Sequence, residues 1–392
     1  MKNFKLPLMS DNIDREDINN LVSFLQQDPI PRLTNGEKVV EFEKEWSKWL
    51  GVKHSLFVNS GASANELTML ALKHMFSDGG DIIVPPLTWI SDVNSVLFAN
   101  FNPVFVDINF DNLSFNLVLL ELSITEKTRA IFLTHVLGLN GLTDRLLDIC
   151  ERNNILLIED VCESHGAMFK DKRLGSIGFA SNFSFYFAHH MSTIEGGMVC
   201  TNNEDFYQTC RALRSHGMVR EMTDEKRKNE YIEKYPDLNK DFIFMGKAHN
   251  FRSDEIHAVI GLSQLKKLDV NNQKRIFNFN HFVDNLDGSK YHTEFEMDGQ
   301  CNYAFIVIMK SQDFTLRDTI EKTLTDNGVE YRRGLSGGGN QLRQPYFRDK
   351  NIDYDEYKVI DHVHNFSWYI GNFPTLEIEK IDKLLEILNG IK

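Results

Sequence analysis

Short apolar runs recur through the first half of the chain, at Ser55–Val58, Asp81–Val84, Val104–Val106, Ala130–Thr134, Ile155–Glu159, Asn182–Phe187 and Gly197–Thr201. Several are separated by roughly 15–20 residues of helix-compatible spacing, as strands joined by crossover helices would be. Together they predict an α/β fold with a seven-stranded, mostly parallel sheet. Two amphipathic helices precede the sheet, over 16–28 (Ile18, Leu21, Val22, Leu25) and 36–50 (Val39, Phe42, Trp46, Trp49). Residues 202–268 read as helical at both ends, with the charged segment Thr223–Lys240 between them as a mobile surface loop. Beyond Val270 the pattern changes to helix Asn271–Leu286, strand Tyr303–Met309, helix Thr315–Asp326, strand Val329–Arg333 and helix Leu376–Leu388. The expected division is a large domain over 1–268 and a smaller C-terminal α+β domain over 269–392.

Length and composition agree with this picture, since 392 residues suffice for two domains with substantial cores. A formal net charge of -13 opposes nucleic-acid binding as a main role. No apolar run approaches a membrane span, and the N-terminus turns acidic before any signal-like apolar core develops. The five cysteines (Cys150, Cys162, Cys200, Cys210, Cys301) are scattered and contain no CxxC, which suits reduced thiols in the cytoplasm.

In a sheet of this kind ligands bind where strands end and helices begin. Four such junctions carry candidate chemistry. Asn59–Asn65 (NSGASAN) follows a strand and opens a helix, so its backbone N–H groups can hold a phosphate, while Ser60 or Ser63 can equally serve as a plain cap. Trp89, in Pro85-Pro86-Leu87-Thr88-Trp89, can stack on a flat ring or sit in the core edge. Asp160, in Leu157–His165 (LIEDVCESH), can pair with a protonated ring nitrogen or cap a helix. Ser184–Val199 (SFYFAHHMSTIEGGMV) runs from a strand into the pair His189-His190 and leaves through Glu195-Gly196-Gly197. A phosphate cradle, a stacking face and a carboxylate for a ring nitrogen describe a pocket for pyridoxal 5'-phosphate (PLP) or its amine form (PMP).

These landmarks resemble the sugar aminotransferases, PLP proteins of the aspartate aminotransferase fold (type I). They run in family order along nearly the whole chain, as SGASAN (60–65), PPLTW (85–89), FVDI (105–108), THVLG (134–138), EDVCESHGA (159–167), SFYFAHH (184–190), EGG (195–197), HNFRSDEIHA (249–258) and YIGNFP (369–374). The resemblance implies that Gly61 and Ala62 give N–H groups to the cofactor phosphate and that Ser184 adds a hydroxyl. It implies further that Trp89 stacks on the ring, Asp160 holds the pyridinium proton, and Glu163 lies near the ring hydroxyl where aminotransferases usually carry Gln. Asn250 would reach the cofactor phosphate of a neighbouring subunit, which implies a homodimer with shared active sites.

The departure falls at the centre. The family aminotransferase reads S-F-x-x-x-K, and its lysine forms a Schiff base with the cofactor. Five residues after Ser184 stands His189. An imidazole cannot form that bond but is well suited to move protons near neutral pH. A histidine at this position resembles the 3-dehydratase branch of the family, in which PMP and L-glutamate remove the C3 hydroxyl of a nucleotide-linked 4-keto-6-deoxysugar. One version of that branch uses an iron–sulfur cluster held by closely spaced cysteines, and no two cysteines here lie within nine residues of each other. The expectation is therefore the cluster-free, GDP-sugar version, with His189 as base. His216 and Arg220 are candidates for contacts with the sugar or the donor carboxylate, the basic Tyr331-Arg332-Arg333 is a candidate for the diphosphate of the sugar nucleotide, and each equally suits a solvated or structural role. His190 shares that position with no assigned role, and a metal site at His362 and His364 is not expected for want of a third ligand. The alternatives are a nucleotide-sugar aminotransferase working without its lysine, and a cofactor-binding protein without catalysis.

Overall fold

The computed structural model describes residues 4–347 and 352–392. The chain begins with helices α1 (Arg15–Leu25) and α2 (Glu37–Leu50). Asp14 caps α1 in a capping box with Asp17. The Glu255 carboxylate caps α2 from a distant helix, accepting the N–H groups of Gly36 (3.0 Å), Lys38 (2.9 Å) and Val39 (2.9 Å).

Strand and helix then alternate as β1 (His54–Val58), α3 (Gly61–Met75), β2 (Asp81–Val84), α4 (Ile90–Phe98), β3 (Asn102–Phe105), α5 (Leu117–Ser123), β4 (Thr128–Thr134), α6 (Asp144–Asn153) and β5 (Leu156–Asp160). A small hairpin, β6 (Met168–Phe169) and β7 (Lys172–Arg173), leads to β8 (Ala180–Ser184) and β9 (Gly197–Thr201). Seven strands form one sheet in the order β1-β9-β8-β5-β4-β2-β3. Only β9 runs antiparallel to its neighbours β1 and β8, so the expected mostly parallel sheet is present.

The strands are apolar on both faces because both faces are covered. Leu56, Val58, Ile82, Val84, Ala130 and Phe132 pack with α3, α4 and α7 (Glu204–Arg214). The alternate residues Phe57, Ile83, Ile131 and Leu133 pack with α2, α6 and α9 (Glu255–Asn285). The charged segment at 223–240 contains a helix, α8 (Glu225–Lys234), in place of the expected loop. Asp224 supplies its cap, accepting from Lys226 N–H and Arg227 N–H.

Helix α9 is 31 residues long and runs unbroken across residue 268. It carries the chain to β10 (Ala304–Ile308), α10 (Phe314–Asp326), β11 (Tyr331–Arg333), α11 (Lys358–Phe366), β12 (Ser367–Gly371) and α12 (Ile378–Gly390). The three strands form an antiparallel sheet in the order β10-β12-β11. Its core also takes Leu6, which pairs with Val329. No helix among the described residues is long and apolar enough to cross a membrane.

Candidate active site

The carboxyl ends of β1, β4, β5 and β8 converge on a cavity of about 370 Å³. Gly61, Ala62, Trp89, Asp160, Glu163, Ser184 and His189 all line it. At its floor α3 begins, with the Ser60 hydroxyl accepting the Ser63 N–H at 3.0 Å. That cap leaves the Gly61 and Ala62 N–H groups at the open, positive end of the helix. Ser184 closes in from β8, so that a Cβ built on Gly61 would sit 2.5 Å from the Ser184 Cβ. Glycine at 61 is thus required by the close approach of two strand ends, and the gap it leaves suits an anion.

Asp160 is buried at the end of β5. Its Oδ1 accepts the Cys162 N–H at 2.8 Å, and its Oδ2 accepts from Asn65 Nδ2 at 3.1 Å. Two donors fix the carboxylate while it still lines the cavity. Trp89, the residue before α4, is 54% exposed at the mouth, an unusual degree for a tryptophan that only packs.

Glu163 joins two loops across the site. Its Oε2 accepts the Leu137 N–H at 3.0 Å, and its Oε1 accepts the Ser336 hydroxyl at 3.0 Å. Burial raises its pKa to about 7, against the lowering effect of those two bonds.

His189 is half-buried in the loop after β8. Its carbonyl accepts from Asn12 Nδ2 at 2.5 Å, which ties the loop to the N-terminal segment. Its Nδ1 is buried without a hydrogen-bond partner among the described residues, with the Cys162 backbone nearby. Burial lowers its pKa to about 4, although the Asp160 charge pulls the other way. The ring is therefore a neutral base at ordinary pH. His190 turns inward instead, its Nε2 2.9 Å from the Cys301 carbonyl.

The remaining expected contacts stand elsewhere in the chain. Arg333 pairs with Glu321 at 3.3 Å, while its neighbour Arg332 lines the cavity. Alternation along β11 sends adjacent side chains to opposite faces, and the sequence does not say which face meets the site. Arg220 donates to the Asp241 carbonyl at 3.2 Å and covers the Phe242 ring, and the His216 N–H donates to the His249 carbonyl at 2.9 Å. Asn250 pairs with Ser215 and lies outside this cavity. His362 Nε2 lies 2.6 Å from the Met309 carbonyl, and His364 Nδ1 accepts the Asn340 N–H at 3.3 Å. Sequence reasoning missed Tyr303, Ser336 and Tyr369, which arrive from the C-terminal sheet, and Leu8 from the N-terminal segment. Tyr303, Ser336 and Leu8 lie in no local motif, and Tyr369 opens the YIGNFP landmark without a role having been assigned to it.

The donors present fit PLP. An open helix end and a hydroxyl meet its phosphate, a fixed carboxylate suits its ring nitrogen, and an exposed indole suits its ring face.

Comparison with known proteins agrees. The model of the DegT/DnrJ/EryC1/StrS aminotransferase family matches residues 11–389. The GDP-4-keto-6-deoxy-D-mannose 3-dehydratase of Yersinia pseudotuberculosis is 30% identical over 390 residues, covering 97% of this chain and 98% of that protein. The GDP-perosamine synthase of Caulobacter vibrioides is 35% identical over 234 residues, covering 60% of this chain and 58% of that protein. A crystal structure of GDP-4-keto-6-deoxymannose-3-dehydratase with a trapped PLP-glutamate geminal diamine superposes with a TM-score of 0.88 at 27% identity, covering 98% of this chain and 100% of that one. From the order of its strands to the cavity at their ends, the chain belongs to the DegT/DnrJ/EryC1/StrS aminotransferase family, whose members include PLP enzymes acting on nucleotide sugars.

Proposed function

We propose that the protein is a PLP/PMP-dependent 3-dehydratase that removes the C3 hydroxyl of a nucleotide-linked 4-keto-6-deoxysugar. GDP is the favoured nucleotide, L-glutamate the amino donor, and the cytoplasm the setting. The observation that carries this reading is that His189 lines the cavity at the position where, by the resemblance, the family aminotransferase has its lysine.

Gly61, Ala62 and Ser184 would hold the cofactor phosphate, Trp89 its ring face, and Asp160 its pyridine nitrogen. Glu163 would lie by its ring hydroxyl. When bound, the cofactor would supply an exchangeable amine and a sink for the electrons of a departing proton. His189 would accept a proton on its ring and hand it to the leaving hydroxyl, so that water departs rather than hydroxide. Tyr303 and His165 lie nearly parallel to its ring and limit its rotation. No lysine lines the cavity among the described residues, so no primary amine competes with glutamate for the cofactor.

The net change is balanced: glutamate and the 4-keto sugar give 2-oxoglutarate, ammonia and the 3-deoxy ketosugar. A homodimer completes the proposal, with Asn250 reaching the neighbouring site. Phe242 and Phe244, near it in sequence, are 55% and 54% exposed, as interface residues are in an isolated subunit.

The second reading is transfer of the amine to the sugar without a lysine, favoured by the likeness to a perosamine synthase. Quantifying ammonia and 2-oxoglutarate after incubation with glutamate and a GDP-4-keto-6-deoxyhexose separates the two. Equal amounts are expected, and 2-oxoglutarate without ammonia would reject dehydration.

A further inference from the structure

Behind Asp160 lies a second carboxyl, Asp92 on α4, whose side chain is wholly buried. Nothing in the reading above uses it. One amide spans both groups: Asn65 Nδ2, from the first turns of α3, lies 2.5 Å from Asp92 Oδ1 and 3.1 Å from Asp160 Oδ2. Its third neighbour is Ser91 Oγ at 3.1 Å.

On the other side, Asp92 Oδ2 meets two hydroxyls. Thr134 Oγ1 is 2.9 Å away, and Thr88 Oγ1 is also in hydrogen-bond contact. The two hydroxyl oxygens are themselves 2.7 Å apart. Three oxygens thus form a closed triangle. The two threonine hydroxyls can supply the protons of only two of its edges, and a protonated Asp92 would fill the third.

We propose that Asp92 is a positioning residue that stays protonated, closing the ring with Thr88 and Thr134 and leaving Asp160 as the one negative charge of the pair. This rests on Asp160 being the partner of the cofactor's ring nitrogen. Two carboxylates bridged by one amide repel each other when both ionise, and the repulsion raises the proton affinity of each. An ionised Asp92 would make Asp160 the stronger base and draw the ring proton onto it. A protonated Asp92 leaves a single carboxylate, Asp160, to face the ring nitrogen, so the ion pair would survive. Burial first, and then the Asp160 charge, hold Asp92 well above the usual carboxylate range, against the lowering effect of the Thr88 and Thr134 hydroxyls. The other ionisable groups that feel its charge are Cys162 and Tyr346, both pushed upward by burial and so neutral as well.

Infrared difference spectra of the cofactor-free protein test the proton directly. They are taken in alkaline buffer, where Glu163, with a pKa raised to about 7, is ionised. The wild type is expected to show a protonated-carboxyl band that Asp92→Asn removes. Titration with PLP then tests the positioning role. Asp92→Asn, neutral and of equal shape, is expected to bind within about twofold of wild type, and Asp92→Ala about tenfold more weakly. A wild type without the band overturns the proposal, and so does an Asp92→Asn variant that binds as poorly as Asp92→Ala. A band in a wild type that does not bind PLP overturns the cofactor role of Asp160, and the positioning role with it. The infrared comparison stands even where Asp92→Ala fails to fold.

Discussion

The imidazole of His189 lies against the phenol ring of Tyr303, with centroids 5.6 Å apart and planes 20° from parallel. Tyr303 precedes the first strand of the C-terminal sheet, and its N–H donates to the Leu137 carbonyl at 3.2 Å. The proposed base is therefore held by a loop of the large sheet on its own chain and braced by a ring from the small one. Truncating Tyr303 to Ala is expected to lower kcat by about tenfold or more while leaving PLP affinity near wild type, because the ring orients the base rather than the cofactor. Tyr303→Phe keeps the stacked ring and is expected to stay within about threefold.

Removing the base itself has a larger effect. His189→Asn is expected to bind PLP within about threefold of wild type and to lose roughly 10²–10⁴ in turnover, the usual worth of a positioned general base. His189→Lys is expected to fix PLP covalently, with an absorbance change that borohydride traps, and to lose dehydration. A His189→Asn variant that retains turnover removes the histidine from the mechanism.

Glu163 should impose a titration on the bound cofactor. With a pKa raised to about 7, it is protonated below that pH and charged above it, beside the expected position of the ring hydroxyl. The absorbance of the PLP-loaded protein is expected to shift with a midpoint near that value in wild type. Glu163→Gln can accept from Leu137 N–H and donate to Ser336, so it should fold normally and lose the shift.

Three histidines with lowered pKa values should make the protein acid-sensitive. His165, His189 and His190 are all held below the ordinary histidine value, chiefly by burial, His189 to about 4. The unfolded chain takes up these protons near pH ~6.5 and the folded chain does not until lower pH. The unfolded state then binds more protons, so stability falls as pH drops from about 6.5 toward 4. His165 packs among Trp46, Phe183 and Phe185, and His165→Phe is expected to give a shallower slope in denaturant melts across that window. An unchanged slope contradicts the assignment.

Ile194 adopts φ 72°, a left-handed conformation that a β-branched residue rarely takes, and its side chain is 45% exposed. Ile194→Gly is expected to raise stability by about 1 kcal/mol, since the strain it removes exceeds the entropy it adds. Urea melts at fixed pH measure the difference.

How much of this was legible beforehand follows from the range of the interactions. The seven apolar runs matched the seven strands because two-sided burial forces a continuous apolar signal. Gly61, Asp160, Ser184 and His189 were visible because each sits at a strand end in a local motif. By contrast α11 and β12 were not foreseen: β12 is the central strand of the small sheet, yet Ser367–Gly371 mixes polar and apolar residues around buried Trp368 and Ile370. Arg332 and Arg333 could not be told apart within Tyr331-Arg332-Arg333, because one residue of strand register reverses the face. Asn65 and Asp92 lie on different helices and resemble ordinary polar positions until folding buries them together.

The identity of the sugar product tests the central claim most directly. Mass measurement of the nucleotide sugar formed from GDP-4-keto-6-deoxyhexose and ¹⁵N-glutamate is expected to show loss of one oxygen and no gain of nitrogen. A product carrying the ¹⁵N label at C4 with its C3 hydroxyl intact would contradict dehydration by His189.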